Sequence, residues 1–212
     1  VPSGDSHDHL TEAAQRMSIV LAHRVLDGLH ADSVAPDDRG ASRAAVQELL
    51  EAGHRRIAFL GDLGFIYNIQ QRYEGFLEAH SAAGVPVCES LIVFDSRSAE
   101  SAAERVTALL NTEQPPTAIF ASNNLNCLGT LVALREASGR RGSGGPAGVD
   151  VIGFDALPEA KYMDVPVTLL SYDQDELGQR AASLLVERAA GRHHEPQHVI
   201  VPVTAQRAGF TS

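Results

Sequence analysis

Short apolar runs alternate with helical patterns along most of this chain, and no other feature constrains its fold as strongly. Strand-like runs fall at residues 19–22, 33–36, 56–61, 91–94, 118–121, 149–154, 166–172 and 198–204. Helical spacing covers 10–17, 40–52, 70–83, 99–110, 125–137 and 175–191. The segment 40–52 places Ala44, Ala45, Leu49 and Leu50 on one side and stops at Gly53, while 70–83 stops at Gly84, as chains do when a glycine follows a helix. Strands separated by helices imply βαβ units and parallel sheets, the α/β class. A chain of 212 residues, 44% apolar and 21% charged, is long enough for one large domain or two small lobes.

Composition excludes several function classes. No stretch reaches the ~20 apolar residues that a membrane-spanning helix needs, and the start, Val1-Pro-Ser-Gly-Asp5, has no basic segment followed by an apolar one. Two cysteines in unrelated segments, Cys88 and Cys127, suggest neither a disulfide framework nor a metal spacing, so a reducing, cytoplasmic setting is expected. A net charge of −10 repels nucleic acid phosphates, and no basic run longer than His54-Arg-Arg56 interrupts it, so these residues are not expected to bind DNA by themselves.

In a parallel sheet, ligands bind beyond the carboxyl ends of the strands. The residues expected there are His23 and Arg24, then 62–68 including Tyr67 and Asn68, then Ser122-Asn123-Asn124, then Asp155, then Tyr172 and Asp173. Asp155 follows the apolar run 149–154 directly, where a strand delivers a carboxylate to the rim of its sheet; the competing reading is a turn residue. Arg72, early in the helix after the 61–68 loop, can aim a planar fork at the same space. Together these offer acceptors, donors and aromatic faces, which suits a polar small molecule such as a sugar.

No catalytic set is present. The chain has no Gly-x-Ser-x-Gly elbow, no phosphate-loop lysine and no paired carboxylates on one element, so no enzyme activity and no cofactor are expected. The glycines of 138–148 follow a helix and precede a strand, the reverse of a dinucleotide fingerprint, and read as a connector. His7 and His9, and His193, His194 and His198, read as solvated loop histidines rather than metal ligands.

Five stretches, Gly53-His-Arg-Arg-Ile-Ala-Phe-Leu-Gly61, Gln71-Arg-Tyr-Glu-Gly-Phe76, Ala121-Ser-Asn-Asn-Leu-Asn-Cys-Leu-Gly129, Val151-Ile-Gly-Phe-Asp155 and Glu176-Leu-Gly-Gln-Arg-Ala181, stand in register along nearly the whole chain. Together they resemble the effector-binding core of the lactose repressor family of bacterial regulators. The resemblance implies a periplasmic-binding-protein-like fold of two Rossmann-like lobes joined by three crossovers, near Pro36-Asp37, Pro166-Val167 and Thr204. The expected lobes are 1–36 with 167–203, an incomplete N-terminal lobe, and 37–166 with 204–212, the C-terminal lobe. By the same resemblance Arg72, Asn123 and Asp155 contact the effector. The chain departs from the family at His23, where an acidic residue is common, and at Ser96, where an aromatic one is. Phe65-Ile-Tyr-Asn68 could supply the aromatic platform instead, through Tyr67.

The expected function is sensing of a small polar effector, with a sugar the foremost class, contacted by Arg72, Asn123, Asp155, His23, Tyr172, Tyr67 and Asn68. DNA binding would reside in an absent N-terminal headpiece of a homodimer. The alternative is an extracytoplasmic sugar-binding protein of a transporter or chemoreceptor.

Overall fold

A computed structural model describes residues 8–26, 28–141, 148–192 and 195–209. The glycine-rich connector in large part, His7, His193 and His194 lie outside them. A short helix α1 (Asp8–Ala14) precedes β1 (Val20–Ala22) and β2 (Asp32–Pro36). The run then continues α2 (Asp38–Glu51), β3 (Ile57–Leu60), α3 (Tyr67–Ala83), β4 (Ile92–Val93), α4 (Ala99–Leu110), β5 (Ala118–Ala121), α5 (Asn124–Arg141), β6 (Asp150–Phe154) and β7 (Val167–Tyr172). The last elements are α6 (Gln174–Ala189), β8 (His198–Val201) and β9 (Val203–Ala208).

The strands form two sheets. Three run parallel in the order β1-β2-β8, and six form a second sheet in the order β4-β3-β5-β6-β7-β9, parallel except for β9, which runs antiparallel to β7. In the larger sheet the order reverses between β3 and β5, the topological switch point beside which open α/β sheets open a crevice. Alternate residues of its central strands face opposite layers. Phe59, Phe120, Ile152, Phe154 and Leu170 pack with residues of α2 and α3, whereas Ala58, Leu60, Ile119 and Ala121 pack with residues of α4 and α5.

Local chemistry sets the helix ends. Asp37 caps α2 by accepting from the Gly40 N–H at 2.9 Å, Ser98 and Ser101 form a reciprocal capping box on α4, and Asp173 caps α6 by accepting from the Glu176 N–H. Gly84 ends α3 in the left-handed conformation at φ 64°, which a residue with a Cβ adopts only at a cost.

Two expectations are corrected. Residues 167–172, assigned from the sequence to the first lobe, belong to the six-stranded sheet, where Ile152 pairs with Thr168 and Phe154 with Leu170. The second crossover therefore lies between β7 and α6, at Asp173, rather than at Pro166-Val167. The physical reason is burial: Val167 and Leu169 complete the core on one face of that sheet and Leu170 on the other, so the strand needs cover on both sides. The terminal run 198–204 is not one strand either. Pro202 lacks the N–H a ladder needs, and the chain passes there from the small sheet into the large one. The first crossover falls at Asp37, whose N–H is donated to the Val201 carbonyl at 3.0 Å, so the first and third crossovers lie side by side.

Two helix pairs approach through glycine. A Cβ on Gly75 of α3 would strike the Arg39 carbonyl of α2, and one on Gly129 of α5 would strike the Ala99 carbonyl of α4. Gly178 of α6, in contrast, has open space around it. Gly75→Ala is expected to destabilise the protein by about 1–3 kcal/mol through forced separation of α2 from α3. Gly178→Ala should stabilise it by about 0.5–1 kcal/mol through helix propensity. Urea denaturation of the two variants checks both signs, and wild-type stability for Gly75→Ala would contradict the packing.

Candidate functional site

The site is built around a buried arginine. Arg72, on the second turn of α3, is fully buried, with a relative exposure of 0%. Its Nε–H is donated to Asp38 Oδ1 at 2.7 Å, and its Nη1 to the Ser122 carbonyl at 2.5 Å and to Asp155 Oδ2 at 3.2 Å. Nη2 donates to Asp155 Oδ1 at 3.1 Å, so the pair with Asp155 is bidentate. The guanidinium carbon lies 3.7 Å from the centroid of the Phe154 ring, a cation–π contact. One side chain thus joins the start of α2, the end of β5 and the end of β6.

Burial alone would favour loss of Arg72's proton, but Asp38 and Asp155 outweigh it and hold the guanidinium charged, above its ordinary range. Burial pushes the Asp38 carboxyl up to about 6, against the pull of Arg72. Asp38 Oδ2 has no hydrogen-bond partner among the described residues, and neither do the buried Ser122 Oγ and Asn126 Oδ1.

Asp155 is the partly open member of the group. Its carboxylate is 20% exposed and its backbone is left-handed at φ 71°, with the N–H donated to the Leu170 carbonyl at 2.9 Å. His23, just beyond β1, repeats that arrangement: φ is 63° and its N–H is donated to the Val34 carbonyl at 2.9 Å. Only Asp95 besides these is a non-glycine residue with positive φ among the described residues. Such conformations cost about 1–3 kcal/mol and concentrate at functional sites, where they re-aim a side chain at a strand end.

His23 and Tyr172 join the two sides. The Tyr172 hydroxyl lies 3.4 Å from His23 Nε2, and the rings meet edge to face with centroids 5.3 Å apart. His23 follows β1 of the small sheet and Tyr172 ends β7 of the large one, so this contact spans the two units. Burial lowers the His23 pKa below its ordinary value, with Asp155 opposing and Arg72 assisting, so the ring is neutral at pH 7. Burial, helped by Asp155, pushes the Tyr172 hydroxyl up to about 12.

Four of the seven expected residues, Arg72, Asp155, His23 and Tyr172, thus form one electrostatic group. Asn123 stands next to it, following the Ser122 that receives Arg72, but its Oδ1 accepts from the Asn126 N–H at 2.8 Å as the cap of α5. Tyr67 and Asn68 belong to the first turn of α3 rather than to a loop, since that helix begins three residues earlier than its apolar spacing indicates. Asn68 accepts from the Ile69 N–H at 3.1 Å and lies one turn before Arg72. Ser96, in place of an aromatic residue, is buried and donates its N–H to the Gly61 carbonyl.

Asp38 is the member that sequence reasoning missed. Its signal was the acidic doublet Asp37-Asp38 at a strand end: Asp37 takes the capping position, which leaves Asp38 to turn inward. Outside the cleft, His54 lies within hydrogen-bond distance of Thr117 and Asp150, His80 of the Val85 carbonyl, and His198 Nδ1 lies 2.7 Å from Ser33 Oγ. Among the described residues, no three His, Cys, Asp or Glu side chains converge as a metal site would require.

Parallel sheets whose strand ends meet over a polar cluster, joined by three adjacent crossovers, define a two-lobed α/β domain. Residues 46–208 match the periplasmic binding protein-like domain family, and the chain belongs to it. As its motifs imply, its relatives are regulators of the lactose repressor family. It is 33% identical over 165 residues, 78% of this chain and 47% of the relative, to the HTH-type transcriptional regulator CelR of Thermobifida fusca. Among solved structures, a LacI-family regulatory protein from Chloroflexus aggregans superposes with a TM-score of 0.85 at 27% identity, covering 99% of this chain and 75% of that one. A complex of CelR with cellobiose superposes with a TM-score of 0.78 at 26% identity, covering 98% and 71%. These relatives are transcription regulators, not enzymes. The chain spans about half the length of the curated relatives it matches. No helix among the described residues is long and apolar enough to cross a membrane.

Removing Arg72 leaves Asp38 buried without a countercharge. Arg72→Ala is therefore expected to lose about 3–5 kcal/mol of stability at pH 7, read by denaturant unfolding. Because Asp38 binds its proton more tightly folded than unfolded, its ionisation opposes folding above pH 6, and that cost fades as pH falls toward 4. The deficit of the variant should accordingly shrink between pH 7 and pH 5; a deficit that grows would contradict the assignment.

Proposed function

We propose that this chain is the effector-sensing domain of a bacterial DNA-binding transcriptional regulator, and that a small polar ligand, a sugar, binds in the cleft where its two sheets meet. The observation that carries this reading is the joint placement of Arg72 with Asp155 and of His23 with Tyr172: one partly open carboxylate held rigid by a buried guanidinium, beside an aromatic pair drawn from both units. Asp155 accepts ligand hydroxyls in a planar, fixed orientation. His23 and Tyr172 supply a donor, an acceptor and ring surface for an apolar sugar face. Asn123, Tyr67 and Asn68 complete the proposed contacts. The relatives support the same reading, being regulators, one of them solved with cellobiose.

A ligand shifts a two-state equilibrium only by its difference in affinity for the two states. Contacts to Asp155 on one side and His23 on the other provide such a difference, because a rotation about the three crossovers changes their separation. In the intact regulator that rotation would re-space DNA-binding headpieces in a cytoplasmic homodimer.

Isothermal titration calorimetry against a panel of neutral mono- and disaccharides, cellobiose and ribose included, tests the proposal. A member of the panel is expected to bind at a single site, and Asp155→Ala should weaken it by about 10- to 100-fold, the loss of charge-assisted hydrogen bonds. Undiminished binding in Asp155→Ala and His23→Ala would remove the site from this cleft.

A further inference from the structure

A buried arginine at a ligand cleft suggests a receptor for phosphate or carboxylate, yet Arg72 has almost nothing left to offer one. Of the five N–H groups of a guanidinium, Nε–H goes to Asp38, both on Nη1 go to the Ser122 carbonyl and Asp155, and one on Nη2 goes to Asp155. A single N–H on Nη2 remains. The Phe154 ring covers one face of the group as well.

The charge count points the same way. Arg72 contributes one positive charge, Asp38 and Asp155 one negative charge each, and the cluster carries a net −1 (1 − 2). The charges felt at Tyr172, at the end of the strand next to that of Asp155, are those of Asp155, Arg72 and Asp38. The Tyr172 hydroxyl keeps its proton and the His23 ring is neutral at pH 7, so neither cancels that charge. The chain as a whole adds a field of net charge −10.

We infer that this cleft selects uncharged or cationic ligands presenting adjacent hydrogen-bond donors and rejects phosphorylated or carboxylated ones, with Asp38 as the positioning residue that turns Arg72 from an anion receptor into a clamp on Asp155. This rests on the ligand-sensing reading above and adds the charge class of the effector. Asp38 acts without touching the ligand: it takes the Nε–H, orients the fork toward Asp155, and supplies the second negative charge. In a partly buried site a like charge in the ligand is not screened as it is at the surface.

The test compares each neutral sugar that binds with its phosphate ester, for example glucose with glucose 6-phosphate and ribose with ribose 5-phosphate, by calorimetry at low ionic strength in the wild type and in Asp38→Asn. Asparagine retains an acceptor for the Arg72 Nε–H while removing the charge. The phosphate ester is expected to bind at least about tenfold more weakly than its neutral parent in the wild type, by like-charge repulsion in a low-dielectric site. In Asp38→Asn that ratio should fall by about tenfold as the cluster becomes neutral. The salt dependence gives a second readout: added salt should narrow the wild-type ratio modestly, because the site is only partly open, and the variant's by less, which a purely structural role of Asp38 would not produce. A phosphate ester that binds as well as or better than its parent overturns the charge assignment while leaving the cleft as a ligand site. An Asp38→Asn ratio equal to that of the wild type overturns the role of Asp38. Failure of every neutral and phosphorylated member to bind overturns the functional reading, and this inference with it.

Discussion

The buried guanidinium of Arg72 is the interaction on which the rest of the cleft depends. A charge taken fully out of water is tolerated only with matched partners, and here two carboxylates and a carbonyl surround it. Those partners come from the start of α2, the end of β5 and the end of β6, so the cation ties together three elements far apart in sequence. Lysine could not replace it, because a single ammonium cannot bind Asp155 through two parallel hydrogen bonds while reaching Asp38 and Ser122. Asp38 also stands directly after the first crossover, and Asp37 is hydrogen bonded to Val201 at the third. The acid proposed to hold the ligand is therefore two contacts away from the backbone that joins the two units.

Backbone conformation contributes a second constraint. His23 and Asp155 occupy the same position relative to their strands, one residue past the end, left-handed, with the N–H still donated into the neighbouring strand. The ladder thus continues by one bond while the side chain turns toward the cleft. Both sheets use this device at their facing edges, and the adjoining strands over-determine the strained residues enough to keep them there. The Asp155 carboxylate and the His23 imidazole are accordingly set by backbone geometry before any ligand arrives, which lowers the ordering cost of binding.

Much of the candidate site was legible from one rule, that ligands gather beyond the carboxyl ends of parallel strands. Asp155, His23 and Tyr172 all follow from it, because apolar runs end just before or at them. Arg72 followed from its place early in the helix after the 61–68 loop. Asp38 was hidden because two adjacent aspartates open α2, and nothing local says which caps the helix and which turns inward; the partner that decides it lies 34 residues away. Tyr67 and Asn68 read as loop residues in the sequence because Phe65-Ile-Tyr-Asn68 has no helical apolar spacing, although α3 begins at Tyr67.

The sequence by itself determined the α/β class, the parallel sheets, the helix stops at Gly53 and Gly84, and the set of strand-end residues from which a site could be made, because period and glycine conformation are local properties. Only the tertiary structure decided which sheet each strand joins and which polar side chains meet. Val167–Tyr172 reads the same in either lobe, and its allegiance follows from a core that needs apolar cover on both faces of the large sheet. Arg72 likewise reads as a free fork in one dimension, and it becomes a clamp only where three chain segments bring Asp38, Ser122 and Asp155 around it.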